Sequence, residues 1–249
     1  MVQCATLIAP YMNYEDCRIK EKTLQESNVK TNRAGFTLVE MAIVLVIVGL
    51  LLGGLLMPLS AQVEQRRIGE TQKALDEIKE ALIGYAIIHG SFPCPTTQTD
   101  PANANYGAPD PTCTAPTAEG YIPWKTLGVA ETDAWGIKRT TVASPWIGYW
   151  RYRVDRNFSS AFTLTTGFSG DALSVQDSAG NPLTTTTERP VAIIFSTGKN
   201  TTADGQNASY ETTSGIYQSD VPISTFDDIT VWISRPVLFN RMVSAQKLP

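Results

Sequence analysis

Apolar residues run almost unbroken from Phe36 to Leu59, FTLVEMAIVLVIVGLLLGGLLMPL. Between Met41 and Leu59 no side chain is charged or strongly polar. Such a run has no polar face, which argues for a helix surrounded by apolar material on all sides. At about 1.5 Å per residue it extends roughly 36 Å, against a hydrocarbon core of about 30 Å. The pattern therefore predicts a membrane-spanning helix over 36–59. A cleaved secretory signal has a shorter apolar region, about 7–15 residues, ending at a small-x-small site. Here Leu59 stands two residues before Ala61, where a small residue is needed. Gly53, Gly54 and Pro58 are weak points, where the helix either kinks or unwinds locally.

Beyond Ser60 the period changes. Thr71, Leu75, Ile78, Leu82 and Tyr85 follow 4-3-4-3 spacing, while Gln72, Lys73, Asp76, Glu77 and Glu80 occupy the opposite face. This predicts an amphipathic helix over 60–90, its stripe packed on the protein's own sheet, with Lys73 and Glu77 as an i,i+4 pair. His89 is placed to interact with the negative helix end, and Gly90 followed by Pro93 supplies the stop. From residue 91 the chain becomes rich in Thr, Gly, Pro and Asn with short β-branched runs. Strands are predicted at Trp150–Val154, Phe162–Thr165 and Leu173–Gln176, with Val191–Phe195 and Ile229–Ile233 central. A turn is predicted at 178–182 and a terminal helix over Val237–Ala245. The fold class expected is α+β: a long N-terminal helix, half membrane-spanning and half amphipathic, packed on an antiparallel β-sheet.

The 249 residues and five tryptophans suit a packed domain rather than a disordered chain. The net charge of −4 gives no global sign of nucleic acid binding. A single histidine, His89, argues against a His-based triad or a His-rich metal site. Residues 1–35 carry Arg18, Lys20, Lys22, Lys30 and Arg33, and no acid follows Glu26 before the apolar run. The positive-inside rule then keeps the N-terminus cytoplasmic and sends the chain from Gln62 onward outside. One carboxylate, Glu40, lies near the cytoplasmic edge of the run. An ionised carboxylate in lipid costs a few kcal/mol unless it snorkels or finds a partner.

The segment Arg33-Ala34-Gly35-Phe36-Thr37-Leu38-Val39-Glu40, at the head of a single apolar helix, resembles the class III leader junction of type IV pilins and type II secretion pseudopilins. The resemblance implies cleavage between Gly35 and Phe36 by prepilin peptidase and N-methylation of Phe36. It implies assembly with other pilins or pseudopilins through the N-terminal helices, with Glu40 neutralising the α-ammonium of a neighbour's Phe36. Pilins of the family often carry Pro where this chain has Met57, and here Pro58 follows one later. Weaker similarity to pseudopilins and minor pilins is scattered through Phe92-Pro93-Cys94-Pro95, Gly120-Tyr121-Ile122-Pro123-Trp124, Asp133-Ala134-Trp135-Gly136, Tyr152-Arg153-Val154-Asp155 and Phe239-Asn240-Arg241-Met242. Trp124 and Trp135 read as core and loop anchors. The domain division that follows is a cytoplasmic leader 1–35, an assembly helix 36–59, a stalk helix 60–90 and a periplasmic or extracellular domain 91–249. Either Met1 or Met12 is a workable start.

Processing removes Cys4 and Cys17, leaving Cys94 and Cys113. Outside the cytoplasm a disulfide between them is expected, closing the Pro/Asn-rich stretch. Asp227-Asp228-Ile229-Thr230 before Trp232 resembles the calcium loop of the major secretion pseudopilin. The region of Asp220, Asp227 and Asp228 lacks an Asp-x-Asp-x-Asp-Gly loop, however, and no metal or cofactor is assigned. Asp204-Gly205-Gln206-Asn207 reads as a turn. Ser196-Thr197-Gly198-Lys199 lacks the first glycine of a phosphate-binding loop. No nucleophile–base constellation points to an enzyme.

The function expected is that of a structural subunit: a pseudopilin or minor pilin of the bacterial inner membrane, single-pass with its C-terminal domain periplasmic. The alternative is a binding module at a fibre tip, an adhesin or a DNA-uptake pilin. The mature part carries 15 basic against 20 acidic residues (20 − 5 and 24 − 4), which weakens the DNA reading.

Overall fold

A computed structural model describes residues 35–111, 113, 119–209 and 214–247, with the side chains of residues 54–59 and 209 outside the description. Most of the leader, with Cys4, Cys17, Lys30 and Arg33, lies outside the described residues. The chain divides into two units, Met1–Leu56 and Met57–Pro249.

In the first unit the described chain is the opening part of helix α1, Leu38–His89 (52 residues). Helical geometry continues through Gly53, Gly54 and Pro58. Among the described residues no helix is long and apolar enough to cross a membrane. Residues 54–59, whose side chains are not described, belong to the same apolar run.

In the second unit the rest of α1 packs on a sheet. Thr71, Leu75, Ile78 and Leu82 are fully buried, as the stripe predicted, joined by Ile83 and Ala86, while Tyr85 is half-buried and stacks on His89 at 4.1 Å. The helix stops where expected: Gly90 takes φ +72°, a left-handed conformation that glycine adopts without a Cβ penalty, and its N–H bonds the Ala86 carbonyl at 2.8 Å.

The remaining elements are β1 (Gly120–Tyr121), α2 (Trp124–Leu127), β2 (Arg151–Val154), β3 (Ser174–Gln176), β4 (Pro190–Ser196), β5 (Ile216–Gln218), β6 (Ile229–Ser234) and α3 (Arg235–Ser244). The main sheet has the order β1-β2-β4-β6, and every pair in it is antiparallel. Helix and sheet make an α+β fold, as the alternation of patterns foretold. Strand β4 is buried along its whole length. Successive side chains of a strand point to opposite faces. Ile194 accordingly joins the core shared with α1, while Ile193 and Phe195 pack with Leu173, Val175 and Tyr217. The latter three come from β3, β5 and the residue before β3, a separate parallel pair. The central strand thus has α1 on one face and a small β layer on the other.

Two expectations are corrected. Ile229–Ile233 lies in an edge strand, not a central one, because among the described residues it pairs with β4 alone. Phe162–Thr165 forms no strand. The Thr163 N–H donates to Thr166 Oγ1 at 2.9 Å and the Thr163 and Thr165 hydroxyls bond each other, so local side-chain bonds replace ladder bonds. Phe162 is nonetheless buried, against Phe158 and Phe239. The separate two-stranded sheet, β3–β5, is parallel.

Candidate functional site

The N-terminal junction is built by one capping arrangement. Gly35 and Phe36 precede α1 in non-helical backbone, and the Phe36 side chain is 81% exposed. Thr37 caps the helix. Its Oγ1 accepts the Glu40 N–H at 3.2 Å, while Glu40 Oε2 accepts the Thr37 N–H at 2.9 Å and the Thr37 hydroxyl at 3.0 Å. This reciprocal Thr-x-x-Glu capping box satisfies backbone donors that a helix start leaves open. Glu40 therefore has work to do in the single chain before any neighbour is considered. The junction places an exposed Gly35–Phe36 peptide bond immediately before a rigid helix start, with a carboxylate one turn away.

The second feature is the Cys94–Cys113 disulfide, which spans 19 positions with its Cα atoms 5.4 Å apart. The loop it closes is also held from within. Tyr106 is buried, meets Trp124 edge-on at 4.9 Å, and shares a 2.8 Å hydrogen bond with the Tyr149 hydroxyl, whose proton goes to Glu131 at 2.6 Å. Trp124 is a core residue and Trp135 a half-buried loop anchor packed against the same core, both in the anchoring roles their sequence positions suggested.

A third feature gathers Asp204, Asp227 and Asp228, each offering an oxygen within 4.8 Å of the others. Asp228 is 1% exposed. Its Oδ2 accepts the Asp204 N–H and an Asn207 Nδ2 proton, both at 2.9 Å. Asp204 Oδ2 accepts the Asp227 N–H at 3.1 Å, and Asp227 Oδ2 accepts the Asn200 N–H at 2.9 Å. Asp227 Oδ1 and Asp228 Oδ1 are buried without a hydrogen-bond partner. Gly198, at φ +61°, lies so close to Asp227 that a Cβ would strike its backbone, which keeps the two loops together. Asp220 stands apart and accepts from the Ser178 N–H at 2.6 Å. The hydrogen bonds of the three carboxylates join the β4–β5 and β5–β6 loops. Asp204 entered from a segment that read as a mere turn.

Burial pushes the Asp228 carboxyl up to about 7, with the charges of Asp204 and Asp227 adding to the rise. Burial also raises Asp227. For Asp228 the folded state holds its proton more tightly than the unfolded chain, whose carboxylates titrate near 4. The resulting stabilisation is complete below about pH 4 and is lost as pH rises through about 7. Asp228→Asn keeps an acceptor for Asp204 and Asn207 and removes the charge. It is expected to raise Tm by about 4–8 °C at pH 8, near 2 kcal/mol, and to leave Tm unchanged at pH 4. Thermal melts of both proteins at the two pH values in divalent-free buffer check this; equal shifts at both would contradict it.

Ser196 and Asp133 form a buried contact of 2.5 Å, but the serine also accepts the Gly198 N–H at 3.0 Å, and Asp133 Oδ1 accepts the Trp135 N–H at 2.9 Å. The pair is a joint between loops, with both groups occupied. His89 stacks on Tyr85 at the end of α1.

Residues 30–56 match the family profile described as the prokaryotic N-terminal methylation motif. The match covers the junction and the first part of α1. No curated protein and no solved structure matches the chain. The motif is a class III prepilin leader, characteristic of type IV pilins and pseudopilins, and it points to a structural subunit. It supports a type IV pilin-like or pseudopilin-like subunit. Processing by prepilin peptidase and assembly with other pilins are what such a leader implies.

Proposed function

We propose that this chain is a prepilin-type subunit whose leader is cut between Gly35 and Phe36 by prepilin peptidase. Phe36 is then N-methylated, and the mature protein is anchored in the inner membrane by residues 36–59 until it enters a fibre. The methylation motif at 30–56, set on an exposed junction before a capped helix, is the observation that carries this reading. Residues 91–249 would sit in the periplasm, where a disulfide persists.

Assembly is where Glu40 changes partners. In the lone chain it caps Thr37. Cleavage creates an α-ammonium at Phe36, and in a bundle of such helices the carboxylate of one copy meets the ammonium of the next. Both buried charges are then paired, the condition under which charge is tolerated in lipid. The work of such a fibre is mechanical, done by adding subunits from the membrane.

The fibre is either a type II secretion pseudopilus or a type IV pilus, and a tip-located binding role, as adhesin or DNA-uptake pilin, is the second reading. The excess of acidic over basic residues favours a protein or surface partner over DNA. Shearing fibres from cells that hold the assembly machinery tests the proposal. The chain should be recovered in the sheared fraction with partner pilins. Its confinement to membranes, uncrosslinked to any pilin, would count against a fibre subunit.

A further inference from the structure

The bond that processing breaks, Gly35–Phe36, is separated from α1 by two residues, Phe36 and Thr37. Gly35, Phe36 and Thr37 are non-helical, and Leu38 opens the helix. The first intrahelical bond runs from the Met41 N–H to the Thr37 carbonyl at 3.1 Å. One more residue of helix would require the Glu40 N–H to bond the Phe36 carbonyl. A second would require the Val39 N–H to bond the Gly35 carbonyl.

The first of those donors is already taken. The Glu40 N–H donates to Thr37 Oγ1 at 3.2 Å, while the Thr37 N–H and hydroxyl both donate to Glu40 Oε2. The Thr37 hydroxyl thus competes with the Phe36 carbonyl for one donor, and by winning it fixes where the helix starts. Phe36, Leu38 and Val39 are exposed apolar side chains with no atom that could accept a backbone N–H. Gly35 stands in open space, with no described atom within 4 Å of where a Cβ would lie. Without the Thr37 hydroxyl, the Phe36 carbonyl becomes the backbone partner of the freed Glu40 N–H. Near lipid an unbonded N–H is costly, which draws the chain toward added helix.

That added helix would work against cleavage. Hydrolysis brings the oxygen of water to the Gly35 carbonyl carbon and breaks the C–N bond. A Gly35 carboxylate and a Phe36 α-ammonium result, with both water protons ending on the nitrogen. The Gly35 carbonyl must be reachable by the attacking water, and its oxygen must be open to the enzyme's hydrogen-bond donors as negative charge develops there. A carbonyl bonded inside a helix meets neither condition.

We propose that Thr37 is a positioning residue for processing: its hydroxyl halts α1 at Leu38 and so holds the Gly35–Phe36 bond in non-helical chain, where prepilin peptidase can take it. The inference rests on the reading of this chain as a prepilin. The enzyme binds only those chains whose junction is non-helical. Loss of the cap therefore lowers the apparent affinity, by the fraction that has become helical, and leaves turnover alone.

The test measures cleavage of the full chain by prepilin peptidase in detergent-solubilised membranes, for the parent, Thr37→Ala and Thr37→Ser. The Phe36 Cα chemical shift of each uncut chain reports the helix start independently. Thr37→Ala is expected to raise KM about threefold to fivefold with kcat unchanged, and to move the Phe36 shift toward helical values. Thr37→Ser keeps a capping hydroxyl and should restore both. A KM for Thr37→Ala within the error of the parent would overturn the proposal, as would a serine variant no better than the alanine one. Slower cleavage of Thr37→Ala with an unmoved Phe36 shift would mean that the hydroxyl touches the enzyme instead of setting the helix start, and would also overturn it. A parent chain left uncut between Gly35 and Phe36 would overturn the prepilin reading itself.

Discussion

Replacing Glu40 by glutamine is expected to leave the chain processed, inserted and folded while removing it from the fibre. The structure sharpens this expectation, because Glu40 has a second job. Its carboxylate closes the capping box with Thr37. Glutamine also serves at that position of a capping box, since its amide oxygen accepts the same protons. Glu40→Gln therefore spares the helix start and removes only the charge. Without it, the α-ammonium of a neighbour's Phe36 is buried unpaired, at roughly 3–5 kcal/mol for each subunit added. That is a loss of more than a hundredfold in incorporation per step. A terminal subunit, lacking one neighbour, would show a partial effect. Thr37→Ala is the complementary change: it removes the cap at about 1 kcal/mol and keeps the carboxylate, so assembly should fall far less. Crosslinking to partner pilins, measured against the amount of processed protein in the membrane, reads both. Equal losses for the two variants would mean that helix capping, not charge pairing, limits assembly.

The second large effect concerns the disulfide. Converting Cys94 and Cys113 together to serine is expected to lower the stability of the globular unit by about 3 kcal/mol, or roughly 6–12 °C in Tm. The chain-entropy argument sets the size, since the bond closes a loop spanning 19 positions. The structure sets a limit on the damage. Tyr106 plugs the loop into the core between Trp124 and Tyr149, and the Asp110 N–H reaches the Pro95 carbonyl at 3.2 Å. The variant should therefore still fold at low temperature, with near-native near-ultraviolet dichroism from the aromatic cluster. A Tm within about 2 °C of the parent would show that the aromatic plug alone holds the loop.

Much of the architecture could be read before the structure was known, for reasons visible in particular residues. The Thr71–Leu82 stripe is long and strongly periodic, and Gly90 ends it without ambiguity. The β-branched run Val191–Phe195 is too apolar to lie anywhere but inside, and β4 is indeed buried on both faces. Position within the sheet was harder. Ile229–Ile233 has similar composition, yet it is the edge, because strand order depends on long-range pairing that no local pattern encodes. Strands β1 and β5 are two and three residues long, below the length at which alternation is detectable. Phe162 and Leu164 alternate with Ala161 and Thr163 much as a strand would, but neighbouring hydroxyls satisfied the backbone locally.

At the candidate sites the same division holds. Gly35, Phe36 and Glu40 lie within six residues, so their arrangement was legible. The Thr37–Glu40 capping box is equally legible as a Thr-x-x-Glu signature. The acidic cluster was only half legible: Asp227 and Asp228 are adjacent, whereas Asp204 arrives from a turn 23 positions away and displaces Asp220 from the group.

The most direct test of the account is the identity of the mature N-terminus. Intact-mass and terminal-peptide mass spectrometry should be performed on the protein purified from membranes of cells with active prepilin peptidase. The account predicts a chain beginning at Phe36, carrying one methyl group on its α-nitrogen and retaining the bond between Cys94 and Cys113. A chain that keeps residues 1–35 in those cells, or one cut instead after Ala61, would contradict it.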